Sequence, residues 1–282
     1  MTSPKALLTG WNIRAKKQLG QNFLSDPSTA EMIVRRAGIG PEEVVLEIGA
    51  GLGAMTIPTA EVAKTVFAVE TDGRIIDLLK TELLARNLRN VTVLHQDVLR
   101  LDLDEFVPKK ENRLVIIGNL PYNISSQILI RLIQWRHRIE RAVLMFQKEL
   151  AGRIAAPPGG KDYGRISVLI QYCADIRQLA VIPCSQFFPK PSVESAILSL
   201  SFHHPPLYPV EDEDLLFRLI KAAFSKRRKT LKNALKSSDL LLPQHHIETV
   251  LEKADIHPVR RAETLTVEEF VKLSNTLAST PL

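Results

Sequence analysis

The chain has 282 residues, 45% of them hydrophobic and 24% charged, with a formal net charge of +6. That length fits one large domain, or one large and one small. The apolar share is enough for a substantial core, which excludes a disordered or low-complexity chain. The basic excess favours an anionic partner such as nucleic acid, although a solvated basic surface reads equally well from charge alone. Cys173 and Cys184, the two cysteines, lack metal-ligand spacing and fit a reducing cytosol. No apolar leader opens the sequence and no run is long enough to span a bilayer, so a cytoplasmic location is expected.

In chain order, residues through about Ala15 read as a poorly ordered arm. Gln21-Asn22-Phe23 then reads as a turn with one anchoring aromatic. Asp26-Pro27 starts a helix: an N-cap acceptor, then proline in the first helical position. The helix ends near Gly38. Val44–Ile48 is a strand that runs into Gly49-Ala50-Gly51-Leu52-Gly53, where alternate glycines permit a tight turn and a close approach to a ligand. A short helix follows with Pro58 in its first turns. Thr65–Glu70 is a second strand ending in an acid, about 20 residues past the glycines, where nucleoside-binding folds hold ribose hydroxyls. Asp72 caps the next helix, whose Ile75, Ile76, Leu79 and Leu83 keep a helical period.

Val91–His95 is a third strand, followed by a second acid, Asp97. Leu114–Ile117 is a fourth strand and leads into Gly118-Asn119-Leu120-Pro121-Tyr122-Asn123. Ser125-Ser126 then caps a helix through Ile133. Arg141–Phe146 is a fifth strand. Ser167–Tyr172 reads as helical. Ile176–Ile182 and Ser195–Phe202 are two strands without a crossover helix, which predicts an antiparallel hairpin closing a parallel sheet. His203-His204-Pro205-Pro206 is a boundary, giving domains 1–202 and 203–282. Past it come helices only, with a basic run, Ser225-Lys226-Arg227-Arg228-Lys229-Thr230-Leu231-Lys232, read as helical. His95, His137, His245 and His246 have no convincing metal partners and read as surface or capping residues.

Each motif has a bland alternative. The glycine loop can be a plain tight turn, and Glu70 and Asp97 can be caps. Their order along one α/β stretch points instead to a nucleoside cofactor. The Gly-x-Gly-x-Gly spacing differs from the Gly-x-Gly-x-x-Gly of dinucleotide folds, which favours S-adenosylmethionine over a pyrophosphate cofactor. Asn119-Leu120-Pro121-Tyr122 is a turn with its amide on its own backbone, or a site that grips an exocyclic amine. In the second case the Asn119 side-chain oxygen and a carbonyl near Leu120 hold the amine's N–H groups. Pro121 fixes the loop and Tyr122 gives a stacking face. Methyl transfer to such an amine is mainly positioning and electrostatics. The basic run either grips phosphates or is a solvated face.

The sequence resembles the ribosomal RNA adenine dimethyltransferases of the bacterial small-subunit type. The resemblance rests on Leu-Gly-Gln-Asn-Phe-Leu at 19–24, Glu-Ile-Gly-Ala-Gly-Leu-Gly at 47–53, Asn-Leu-Pro-Tyr at 119–122, Phe-Phe-Pro-Lys-Pro-Ser-Val-Glu-Ser at 187–195 and Ala-Phe-Ser-Lys-Arg-Arg-Lys-Thr-Leu at 223–231. It implies a Rossmann-like S-adenosylmethionine-dependent methyltransferase sheet with a small all-α C-terminal domain. Asn22 and Leu24 would line the cofactor site, against the bland reading of that turn. Gly49, with Gly51 in the same loop, would lie under the methionine portion. Glu70 would hold the ribose, Asp97 the cofactor's adenine amine, and Asn119 would lie beside the methyl group. Tyr122 and Phe187 would clamp the target base, with Phe188 standing where relatives more often carry a small or polar residue. Lys226, Arg227, Arg228, Lys229 and Lys232 would bind RNA.

The implied reaction is N6,N6-dimethylation of two adjacent adenosines near the 3′ end of small-subunit rRNA, on 30S particles during ribosome biogenesis. A monomer, without metal, is expected. The alternatives are a 23S rRNA adenine methyltransferase of the macrolide-resistance type and a non-catalytic RNA-binding assembly factor.

Overall fold

The computed structural model describes residues 3–106, 113–226 and 228–281. The chain divides into two compact units: 1–151 with 175–202, and 152–174 with 203–282. The change at Phe202/His203 falls where the proline-rich boundary stands. Residues 152–174, read from sequence with the first domain, group with the C-terminal helices instead. Ser167 explains part of this: its hydroxyl donates to the Arg153 carbonyl and accepts from Gly164 N, folding the segment on itself.

The first unit is built on nine strands: β1 (Phe23–Leu24), β2 (Val44–Ile48), β3 (Thr65–Glu70), β4 (Val91–His95), β5 (Leu114–Asn119), β6 (Ile139–Gln147), β7 (Ala174–Ile182), β8 (Phe187–Phe188) and β9 (Ser195–Phe202). Seven form one sheet in the order β4-β3-β2-β5-β6-β9-β7, and β1 and β8 form a separate ribbon. The pairs from β4 to β6 are parallel, and β9 runs antiparallel to β6, with β7 at the edge. β2 and β5 are buried on both faces, as their unbroken apolar runs require. From β2 the chain winds outward to β3 and β4, then returns to β5 and β6 on the other side. The switch in direction lies between β2 and β5, and the carboxyl ends of such strands are where open α/β sheets bind ligands.

Helices α1 (Pro4–Gly10), α2 (Pro27–Ala37), α3 (Thr56–Ala60), α4 (Gly73–Ala85), α5 (Ser125–Trp135) and α6 (Lys148–Ile154) accompany these strands. The capping signals hold for α2 and α4. Asp26 accepts from Ser28 N at 3.0 Å, Gly38 ends α2 at φ +61, and Asp72 accepts from Arg74 N. Two expectations are corrected. The stretch read as a loose arm is folded: Ser3 caps α1, and Leu7 and Leu8 bury against Phe23, Leu52, Ile75 and Leu78. An apolar pair that short carries too little pattern to announce a helix. Ser125 is not a cap either; it is the first helical residue and its hydroxyl donates to the Pro121 carbonyl.

The second unit is helical: α7 (Arg165–Cys173), α8 (Glu213–Ala223), α9 (Leu231–Lys236), α10 (Gln244–Lys253) and α11 (Val267–Ser279). Leu216, Leu219, Ile220, Leu231, Leu251 and Phe270 are fully buried in it. The basic run is helical only in part: Ser225, Lys226, Arg228 and Lys229 lie in turns and bends, whereas Leu231 and Lys232 open α9, which Thr230 caps through its hydroxyl on Asn233 N. No helix among the described residues is long and apolar enough to cross a membrane.

Candidate active site

A recess opens at the carboxyl ends of β2, β3 and β5. Glu47, Gly49–Leu52, Ala54, Met55, Glu70, Asn119 and Pro121 form one wall, and residues 19–24 form the other. Ile48 pairs with Gly118 in the ladder, so the glycine loop and the Asn119 loop leave the sheet side by side. Gly49 takes φ +74, a conformation costly for any residue with a Cβ. A Cβ on Gly118 would sit 2.6 Å from the Ile48 carbonyl oxygen, so glycine is what lets the two strands approach here.

Three acids shape the recess. The Glu70 carboxylate accepts from Gly51 N at 3.0 Å, Thr71 N at 2.7 Å and Asp72 N at 2.9 Å. Those bonds lock the glycine loop to β3 and leave carboxylate acceptor capacity for a guest. Glu47 is 1% exposed, and its Oε2 has no hydrogen-bond partner among the described residues. Burial pushes its carboxyl up to about 8, and the charge of Glu70 adds to the effect. Asp72 is buried beside the strand end. Burial alone would raise its carboxyl, but hydrogen bonds from Arg74, Gln21 and Lys16 outweigh it and hold the group well below the usual carboxylate range.

Asn119 is the last residue of β5. Its Nδ2 donates to the Asn22 carbonyl at 2.9 Å, which leaves Oδ1 as the acceptor for an incoming amine. The bland alternative, an amide bonded to its own turn, is not what the loop does. Tyr122 is half-buried, and its hydroxyl lies 2.8 Å from Ser195 Oγ; burial pushes its phenol above the ordinary value. Leu120 is buried, with its N–H on the Met145 carbonyl. Phe187 is 4% exposed and lies in the core cluster with Leu24, Met145 and Ile197. It pairs with Leu24, and Phe188 pairs with Phe23, across the β1–β8 ribbon.

The recess therefore brings together Asn22, Leu24, Gly49, Gly51, Glu70, Asn119 and Pro121. Asp97, Leu120, Tyr122 and Phe187 do not line it. Asp97 caps a short turn by accepting from Leu99 N at 3.0 Å. In the helical unit Lys226, Arg228 and Lys229 are exposed, Lys232 is 3.1 Å from Glu248, and Arg227 lies outside the described residues. His246 is buried rather than superficial. Among the described residues no three His, Cys, Asp or Glu side chains could together hold a metal ion. Reading the sequence missed Glu47 as part of the recess, and it saw Asp72 only as a helix cap rather than as the partner of Gln21 and Lys16. An acid inside the apolar run Val44-Val45-Leu46-Glu47-Ile48 was the available signal for the first; nothing local marked the second.

Sheet order, switch point and loops place the chain among the Rossmann-like methyltransferases. The fold matches a dimethyladenosine transferase from Plasmodium falciparum with a TM-score of 0.78 at 29% identity, covering 89% of this chain and 95% of that one. It also matches the 23S rRNA methyltransferase ErmE with a TM-score of 0.69 at 24% identity, covering 91% of this chain and 100% of that one. The chain belongs to the ribosomal RNA adenine dimethylase family, whose model matches residues 12–279. Proteins named ribosomal RNA small subunit methyltransferase A are similar over nearly the whole length. That of Desulforapulum autotrophicum is 50% identical, covering 99% of this chain and 98% of its own. That of Alkaliphilus metalliredigens is 42% identical, covering 98% and 96%.

Proposed function

We propose that this protein transfers methyl groups from S-adenosylmethionine to N6 of two adjacent adenosines near the 3′ end of small-subunit rRNA. The observation that carries the reading is Asn119: its amide nitrogen is spent on Asn22, and its oxygen is left at the pocket wall. The donor set fits the cofactor. Glu70 and Asn119 offer oxygen acceptors, which suit a guest carrying hydroxyls and an amine. When bound, S-adenosylmethionine supplies an electrophilic methyl on sulfur.

The residues of the chain do the rest by positioning. Glu70 takes a ribose hydroxyl with its remaining lone pair, and the Gly49–Gly53 turn lets backbone approach the methionine portion. Asp97, at the end of the neighbouring strand, takes the cofactor's adenine amine. The N6 lone pair of the target adenine is delocalised into its ring. Accepting its N–H bonds at Asn119 Oδ1 and the Leu120 carbonyl would favour a pyramidal nitrogen with a localised lone pair, ready to take a methyl group, and the proton it sheds would leave to water. Preorganised acceptors of this kind typically contribute a hundredfold or more to rate. A base in a helix must leave its stack to reach the recess, and the Tyr122 ring offsets part of that loss. Phe187, buried beside Leu24, is the proposed second wall. The exposed Lys226, Arg228 and Lys229, with Arg227, grip phosphates and make binding salt-dependent.

The small-subunit substrate is supported by relatives at 50% and 42% identity that carry that name. A ribosomal substrate places the reaction in the cytoplasm. The test is to incubate the protein with S-adenosylmethionine and unmodified 30S or 50S particles and to digest the RNA for mass spectrometry. N6,N6-dimethyladenosine from 30S alone is expected. Product from 50S alone would replace this reading with the 23S one, and RNA binding without any product would leave an assembly factor.

A further inference from the structure

Residues 16–24 form a strap over the recess, and three separate points hold it. At the end of β3, Lys16 Nζ lies 3.2 Å from Asp72 Oδ2, and Gln21 Nε2 donates to the same oxygen at 3.3 Å. Gln21 Oε1 accepts from Lys16 N at 2.7 Å, so the glutamine clips the strap to itself and to Asp72 at once. At the Asn119 loop, Asn119 donates to the Asn22 carbonyl and Asn123 Nδ2 to the Gln18 carbonyl at 3.3 Å. Gly20, at φ +62, lets the strap pass there; a Cβ would stand 3.1 Å from Asn123 Oδ1. At the ribbon, Leu24 pairs with Phe187.

We propose that the strap lifts to admit the methyl donor, and that Asp72 is the positioning residue that latches it shut and so sets Asn119. The inference rests on the methyl-donor reading of the recess. Side-chain hydrogen bonds hold the strap's near end, whereas a seven-stranded ladder holds the opposite wall, so the strap is the side that opens at lower cost. The Asp72 side chain is 2% exposed, so the carboxylate end of both ion pairs is buried while Lys16 and Arg74 reach in from the surface, and charge-assisted hydrogen bonds of this kind are the stronger ones. Lifting the strap withdraws the Asn22 carbonyl from Asn119. The amide then loses the contact that aims Oδ1 at the substrate. The same segment therefore closes the cofactor in and arms the acceptor for the base, so donor entry precedes a competent base site.

Asp72→Asn isolates the latch, because asparagine caps α4 as well as aspartate does while losing the charge. Trypsin reads the strap directly at Arg14 and Lys16, and cleavage in the basic run at 226–229 is the internal control. In wild type, saturating S-adenosylmethionine is expected to slow cleavage at Arg14 and Lys16 about tenfold. Asp72→Asn, without ligand, is expected to speed it about tenfold and leave the 226–229 sites unchanged. It should release the cofactor about tenfold faster and lower kcat more than KM for the 30S particle. Gln21→Ala, which touches no cap, should do the same to a smaller extent. Arg74→Ala, which removes the carboxylate's other partner, should leave strap cleavage unchanged. Unchanged strap cleavage and cofactor release in both Asp72→Asn and Gln21→Ala would overturn the latch. Faster cleavage throughout the chain would overturn it in favour of a merely structural role. If wild type fails to bind S-adenosylmethionine, the methyl-donor reading falls, while the ligand-free cleavage comparison still decides whether Asp72 holds the strap.

Discussion

Gly49, Glu70 and Asn119 stand at the ends of strands paired on both sides, and their backbone is fixed before any ligand arrives. Lys16 to Leu24, across the recess, is held by side-chain hydrogen bonds at its near end, and at its far end by a two-residue ribbon and the burial of Phe23 and Leu24. The first wall is rigid because parallel ladders spread any displacement over neighbouring strands. The second is adjustable because a few bonds release it. A methyltransferase needs both: a fixed frame for in-line transfer, and a door for a cofactor exchanged at every turnover. Two methylations of one base require that door to open twice.

The comparison can be broken first at the rigid wall. Asn119→Ala removes the acceptor and keeps the sheet, so methyl transfer to 30S particles is expected to fall 10²–10³-fold, about 3–4 kcal/mol in the barrier. Cofactor affinity by calorimetry should change much less than the rate. Gly118→Ala attacks the frame itself. Its Cβ would meet the Ile48 carbonyl at 2.6 Å, a backbone group that cannot swing aside, and a loss of about 3 kcal/mol in urea unfolding is expected.

Glu47→Gln sharpens the picture through pH. The Glu47 carboxyl stands at about 8 when folded, above its ordinary value of 4.5. Between those limits the native state holds a proton that the unfolded chain has released, so wild-type stability falls as pH rises. The glutamine variant lacks that proton and should gain on the order of 2 kcal/mol over wild type at pH 8 relative to pH 5, by urea unfolding at both pH values. The smallest effect is expected in the helical unit. Lys229→Ala should weaken 30S binding by about 1 kcal/mol and reduce the salt slope by about one phosphate contact.

The rigid wall was largely legible in the sequence, because its signals are local. Apolar runs located β2, β3 and β5, and the acid that ends β3 located Glu70; the acid past β4, Asp97, does not line the recess. The adjustable wall was not. Its folding depends on Asp72, 51 residues from Gln21, and on Asn119, 97 residues from Asn22. A motif resemblance assigned Asn22 and Leu24 to the cofactor side, while local pattern saw a turn and a loose arm. Phe187 shows a different limit. Its spacing to the prolines marks it as special, yet only the ribbon register shows it turned into the core beside Leu24. The segment 152–174 was misplaced for the same reason as the strap, since it packs with helices remote in sequence.

Nucleotide-resolution mapping of methylated adenosines on small-subunit rRNA, after reaction with the purified protein, decides what Asn119 and its recess do. Two methyl groups on N6 of each of two neighbouring adenosines near the 3′ end are expected, formed at least a hundredfold more slowly with Asn119→Ala. Methylation at any other position, or on a ring nitrogen instead of the exocyclic amine, would contradict this reading.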